Sequence, residues 1–138
     1  MRFPYRGAGI GLVKDGRILL GKRSDHPFNG RWCVPGGGRE KSDSSELSTA
    51  IREFAEETGV DFSALNAKPL GSWKLRFPFF SWRTFFYGIS DFEASFSLDE
   101  FSDIEWVSIS EIGKKKHLRP FTKSEVRCLS NLLRSQQA

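Results

Sequence analysis

The chain has 138 residues, enough for one domain with a continuous core, and a single domain over residues 1–138 is expected. Hydrophobic residues at 38%, charged residues at 28% and 13 phenylalanines exclude a disordered or collagen-like chain; no apolar run approaches the ~20 residues that span a bilayer and no charged-then-apolar leader opens the chain, so a cytoplasmic protein with no membrane partner is expected. A formal charge of +4 and a pI of about 9.3 suit an anionic ligand but are too small to mark a nucleic-acid binder, so nucleic acid is not the expected partner.

The stretch GAGIGLVKDGRILLGKR reads as a hairpin, with strands of roughly 7–13 and 17–23 around Asp15-Gly16. That dipeptide supplies the positive φ angles of a two-residue turn. RWCV is a short strand ending at Pro35, and Gly36, Gly37 and Gly38 form a loop free to bring backbone close to a ligand. Cys33 and Cys128 are far apart and lack C-x-x-C spacing, which argues against zinc or a redox pair. Next comes a helix whose Leu47, Ala50, Ile51, Phe54 and Ala55 share one side. Asp43 and Glu46 have the spacing of a capping box, Ser42, Ser44 or Ser45 could cap equally well, and Gly59 ends the helix as a C-cap. SWKLRFPFFSWRTFFYGIS gives two strands broken near Pro78, and IEWVS a further strand at 104–108. Thr122 and Glu125 suggest a second capping box, ahead of a helix through Val126, Leu129, Leu132 and Leu133. This irregular order implies a mixed sheet with helices packed against it.

The polar side of the first helix poses the chemical question. Glu53, Glu56 and Glu57 lie three and four positions apart on one face, where like charges cost a few tenths of a kcal/mol per pair, and Arg52 is the only nearby cation. A hard divalent cation such as Mg²⁺ would relieve that repulsion, since it takes oxygen ligands and shares substrate phosphates.

The run GGGREKSDSSELSTAIREFAEETGV resembles the signature of the Nudix hydrolases: glycine, five free positions, glutamate, seven free positions, then Arg-Glu-apolar-x-Glu-Glu-x-Gly-apolar. Arg52, Glu53, Phe54, Glu56, Glu57, Gly59 and Val60 fill its second half without a gap, and Gly38 lies at the right distance upstream. The resemblance implies an α/β fold, an α/β/α sandwich around a central mixed sheet. It also implies Mg²⁺- or Mn²⁺-dependent hydrolysis of a nucleoside diphosphate linked to another group, a nucleoside triphosphate or a nucleotide sugar. By carry-over, Glu53, Glu56 and Glu57 hold the metal, the Gly37 carbonyl completes its shell, and Arg52 orients a carboxylate. The first signature glutamate is missing: Ser44 stands there without a gap, Asp43 with a one-residue insertion, and Glu46 is a third candidate.

Members of the family often draw a further acid from the loop before the late strand; Glu100 is the first choice here and Asp103 the second. Arg23 and Arg31 are candidate cations for developing phosphate charge, Gly38 a backbone contact to substrate, and Phe28 a base-stacking ring. The family also sets an expectation of a possible homodimer. A rival reading is a non-catalytic Nudix-like module that binds a nucleotide or RNA.

Overall fold

The computed structural model describes residues 4–24, 28–90 and 101–136. Strands β1 (Tyr5–Lys14) and β2 (Arg17–Arg23) form the expected hairpin, with Asp15 at φ 50° and Gly16 at φ 73° in the turn. The strands pair with each other only at Val13–Lys14 and then part. Strand β4 (Gly36–Gly38) takes the place beside β1, with Gly7 opposite Gly38 and Gly9 opposite Gly36. The glycine run is therefore a strand and not a free loop. Its ladder bonds come from β1, far away in sequence, so no local signal announces it.

β3 (Trp32–Cys33) pairs with β2 on one side, and β7 (Phe101–Ser108) pairs with β2 on the other. β6 (Phe80–Gly88) runs parallel to β1, and β5 (Lys68–Phe77), which precedes the break at Pro78, closes that edge. The seven-stranded sheet is mixed, with path β3-β2-β1-β6-β5. Helix α1 (Glu46–Thr58) lies against β1 and β4, and α2 (Thr122–Gln136) against β5. An α/β/α sandwich results.

Strand β1 shows why the two helices occupy opposite faces. Ala8, Ile10 and Leu12 alternate with Gly7, Gly9 and Gly11, and successive side chains on a strand point to opposite sides. The aliphatic set joins Ala50 and Phe54 of α1 in one core cluster. On the other face the glycines leave room for rings: a Cβ at Gly7 or Gly9 would meet Trp82, and one at Gly11 would meet Phe86 within 3 Å. Trp82 and Phe86 join Val126 and Leu129 of α2 in the second cluster.

The Asp43–Glu46 box does not form, and the α1 cap is Ser45, one of the serines that could cap equally well; the Thr122–Glu125 box does not form either. Ser45 caps α1 and exchanges hydrogen bonds with Ser48 (both 3.0 Å), because Asp43 is committed elsewhere. At α2, Glu125 turns inward to accept from Thr84, and the buried Thr122 hydroxyl has no partner among the described residues. Gly59 ends α1 in the left-handed region at φ 73°, as expected. No helix among the described residues is long and apolar enough to cross a membrane.

Crowding on the glycine face gives a stability prediction. Gly9→Ala places its Cβ 2.6 Å from the Pro35 carbonyl and 2.8 Å from Trp82, and such overpacking should lower unfolding free energy by about 1–3 kcal/mol. Gly113→Ala, with nothing within 4 Å, should stay within about 0.5 kcal/mol of wild type in the same urea titration.

Candidate active site

The site forms where β1 and β2 part. Ala50 and Phe54 fix α1 on the sheet, which directs Arg52, Glu53, Glu56 and Glu57 toward β4 and the end of β2. Arg52 is the hub. Its Nη2 donates to the Gly38 carbonyl (2.9 Å) and to Asp43 Oδ2 (2.9 Å), and its Nε donates to Asp43 Oδ1 (3.0 Å). Its Nη1 donates to Glu53 Oε1 (3.1 Å) and Glu56 Oε1 (3.2 Å). One guanidinium thereby fixes the helix, the residues before it and the glycine strand.

Of the three positions considered for the missing signature glutamate, Asp43 is the one that reaches the arginine. Its buried carboxylate also accepts from the Glu40 amide (2.8 Å) and Thr49 Oγ1 (2.9 Å). The Arg52 hydrogen bonds, helped by those from Glu40 and Thr49, outweigh burial and hold the Asp43 carboxyl well below the usual carboxylate range. Asp43 in turn raises the arginine above its ordinary value. Ser44 is exposed. Glu46 faces the sheet and pairs with Lys74 and Arg83, both at 3.1 Å; burial alone would raise its pKa, but these two cations lower it.

Glu57 is fully buried. Its Oε1 accepts the Gly36 amide (2.6 Å) and its Oε2 faces Arg23 Nη1 (3.2 Å). The Glu53 carboxyl lies over the Cα of Gly37, so close that a Cβ there would come within 2.4 Å of its carbon. This position therefore requires glycine for the close approach that the sequence suggested.

The oxygens of Glu53, Glu56 and Glu57 and the backbone of Gly37 are hard donors, the kind that Mg²⁺ and Mn²⁺ accept. Glycine at 37 leaves the cradle that holds the Glu53 carboxyl, so the donor set fits such an ion. Among the described residues no three carboxyl, imidazole or thiol groups close on a common point: Arg52 draws Glu53 and Glu56 to itself, and Glu57 turns toward Gly36.

Beside this cluster a pocket of about 80 Å³ is lined by Tyr5, Arg23, Phe28, Phe80, Trp82, Arg119 and Phe121, with Gly36 and Gly37 at its edge. Arg23 and Phe28 are thus brought together next to Glu57. Arg31 is exposed and does not line this pocket. Glu100 lies outside the described residues, and Asp103 is exposed, bonded to the Ile104 amide. The sequence does not single out Arg119. It is 5% exposed and its guanidinium sits 4.4 Å from the Trp82 ring centre and 4.5 Å from that of Phe121. Its partner Glu125, 3.9 Å away, is fully buried, and burial pushes that carboxyl up. No local pattern marks the pair, because the rings that shield it come from β6 and from Phe121.

Residues 4–127 match the family model for the NUDIX domain, and the chain belongs to this family. An ADP-ribose pyrophosphatase of Methanocaldococcus jannaschii is 45% identical over 49 residues, covering 36% of this chain and 28% of that protein. An RNA pyrophosphohydrolase of Novosphingobium aromaticivorans is 43% identical over 60 residues, 41% of this chain and 36% of that protein. The matches thus span about a third of these curated relatives' lengths. The solved structure of RenU, a Nudix hydrolase from M. smegmatis, superposes with a TM-score of 0.75 at 17% identity, over 94% of this chain and 85% of that one. That likeness concerns the fold.

The Asp43–Arg52 pair gives a pH prediction. A carboxyl depressed in the folded state contributes stability that is full above its unfolded pKa, about 3.9, and is lost as pH falls through the folded value. Wild type should therefore exceed Asp43→Asn in unfolding free energy at pH 6, and the gap should shrink steadily between about pH 4 and pH 2 in urea titrations.

Proposed function

We propose that the chain is a pyrophosphohydrolase that cleaves the diphosphate linkage of a nucleoside diphosphate derivative, a nucleoside triphosphate or a nucleotide sugar. The observation that carries this reading is the Arg52 hub, which ties the acidic face of α1 to the glycine strand where a diphosphate can meet backbone. The names of the relatives agree on pyrophosphate chemistry but divide between ADP-ribose and RNA, so family membership leaves the size of the substrate open.

Glu53, Glu56 and Glu57, with the Gly37 carbonyl, would hold Mg²⁺ or Mn²⁺. When bound, such an ion neutralises phosphate charge and lowers the pKa of a coordinated water. The chain's own groups do the rest. Arg52 spaces Glu53 from Glu56 by pairing with both. Arg23, lining the pocket beside Glu57, is placed to take charge that develops on a phosphoryl oxygen. Phe28, Tyr5 and Phe80 present ring surface to a nucleobase. Gly37 keeps the floor of the site thin enough for the Glu53 carboxyl and a phosphate to share it.

Phosphate release across a panel of nucleotides and nucleotide sugars with Mg²⁺ tests the reading. Wild type should turn over at least one of them, and Glu57→Gln should lower kcat by about 100-fold or more with an unchanged circular dichroism spectrum. Tight ligand binding with no turnover by wild type on any of them would favour the non-catalytic module. Gly37→Ala should also cost about 10-fold or more in kcat, since its Cβ displaces the Glu53 carboxyl. Its melting temperature should stay close to wild type, because the clash falls on the movable end of a side chain.

A further inference from the structure

On the α1 face of the sheet, outside the cleft, a groove of about 700 Å³ runs between the start of α1 and the β5–β6 hairpin. Arg6, Arg39, Lys74 and Arg76 line it, and among the described residues its only acid is Glu46. That carboxylate is already shared by Lys74 and Arg83. Arg6, Arg39 and Arg76 make no ion pair among the described residues. Several cations facing one volume repel one another until a polyanion enters, and a phosphodiester backbone supplies negative charge at regular spacing.

Two further observations narrow the occupant. Phe77 and Phe79 are 57% and 69% exposed, the large hydrophobic side chains left in solvent among the described residues. They flank Pro78 at the hairpin turn, and Phe77 and Pro78 line the groove. Exposed rings beside a basic track are what stacked, unpaired bases require. The groove also neighbours the cleft. It shares Arg6 and Arg39 with a second depression of about 380 Å³ that includes Tyr5, Gly38, Glu40 and Lys41, and Tyr5 also lines the pocket at Gly36 and Gly37.

We propose that this groove binds the backbone of a single-stranded polynucleotide whose terminal di- or triphosphate lies in the cleft. The inference rests on the reading of the cleft as a diphosphate site and extends it from a nucleotide to a chain end. A mononucleotide whose phosphates all lie at Gly36–Gly38 leaves none for Arg76. An acidic peptide satisfies the cations but leaves the phenyl rings without a role.

The test is fluorescence anisotropy in EDTA, where hydrolysis does not enter, with three probes: a 5′-triphosphorylated octaribonucleotide, the octadeoxyribonucleotide of the same sequence, and a single nucleoside triphosphate. Both octamers should bind about 10-fold or more tighter than the mononucleotide, with log K falling linearly as log salt rises. Arg6→Ala with Arg76→Ala should reduce that slope by about 1.4, two contacts at about 0.7 each. Phe77→Ser with Phe79→Ser should weaken octamer binding about fivefold or more and leave the slope unchanged. Lys123→Glu, exposed on α2, is the charge control and should stay within about twofold of wild type. Tighter binding of RNA than DNA would identify contacts to the 2′-hydroxyl, and equal binding would identify backbone recognition; both support the groove.

The proposal is overturned if the octamers bind no tighter than the mononucleotide, if the arginine variant binds as wild type does, or if poly-glutamate of equal charge competes as well as the octamer. The cleft reading is decided separately by turnover. Octamer binding that the arginine variant loses, in a protein that with Mg²⁺ hydrolyses neither the nucleotide panel nor the triphosphorylated octamer, would keep the groove and discard the cleft chemistry.

Discussion

The geometry of this molecule depends on one guanidinium. Arg52 reaches Asp43, Glu53, Glu56 and the Gly38 carbonyl, and these groups belong to three segments that would otherwise be free to drift. Because an arginine presents a rigid planar fork of donors, it fixes directions as well as distances. The same charge makes the close set of Asp43, Glu53 and Glu56 tolerable. Most of those bonds are partly buried, where pairing of ionised partners counts for more than at an open surface.

The sheet supplies the space in which the hub works. β1 and β2 hold together only near their turn, so the hairpin opens like a fork and β4 enters beside β1. Glu57 and Arg23 meet at that opening, and the aromatic pocket lies just behind it. The two helices cover opposite faces, and each face keeps its own core. The acidic cluster is thereby supported from α1, and the ring-lined pocket from the α2 face, where Trp82, Phe121 and Arg119 pack together.

What the sequence revealed follows the range of the forces involved. The Asp15-Gly16 turn, the amphipathic α1 and the strands around Pro78 are written locally, and all three are found. The spacing of Glu53, Glu56 and Glu57 placed them on one face of the helix with Arg52 nearby, and all four residues lie on α1, which packs against β4. Interactions that bridge distant segments were the ones misread. Three glycines carry no strand preference, yet β1 enlists them as β4. Asp43 has the look of a cap, but Arg52 outbids the helix terminus for its carboxylate and leaves Ser45 to cap. Glu125 has the spacing of a capping glutamate, yet it points to Thr84 and Arg119. Arg119 carries no local signal at all, since what makes a buried arginine possible is the pair of rings around it.

The alternation along β1 also bears on how such a chain can change over generations. Gly7, Gly9 and Gly11 are small because Trp82 and Phe86 are large, and the two sets fill one another's space across a parallel pair of strands. Neither set can vary alone: a bulkier residue on β1 becomes acceptable only after a ring on β6 has shrunk. Drift on that face therefore proceeds through matched exchanges. Descendants of this chain should keep either the glycine stripe with its rings or a wholly repacked alternative, with few viable steps between them.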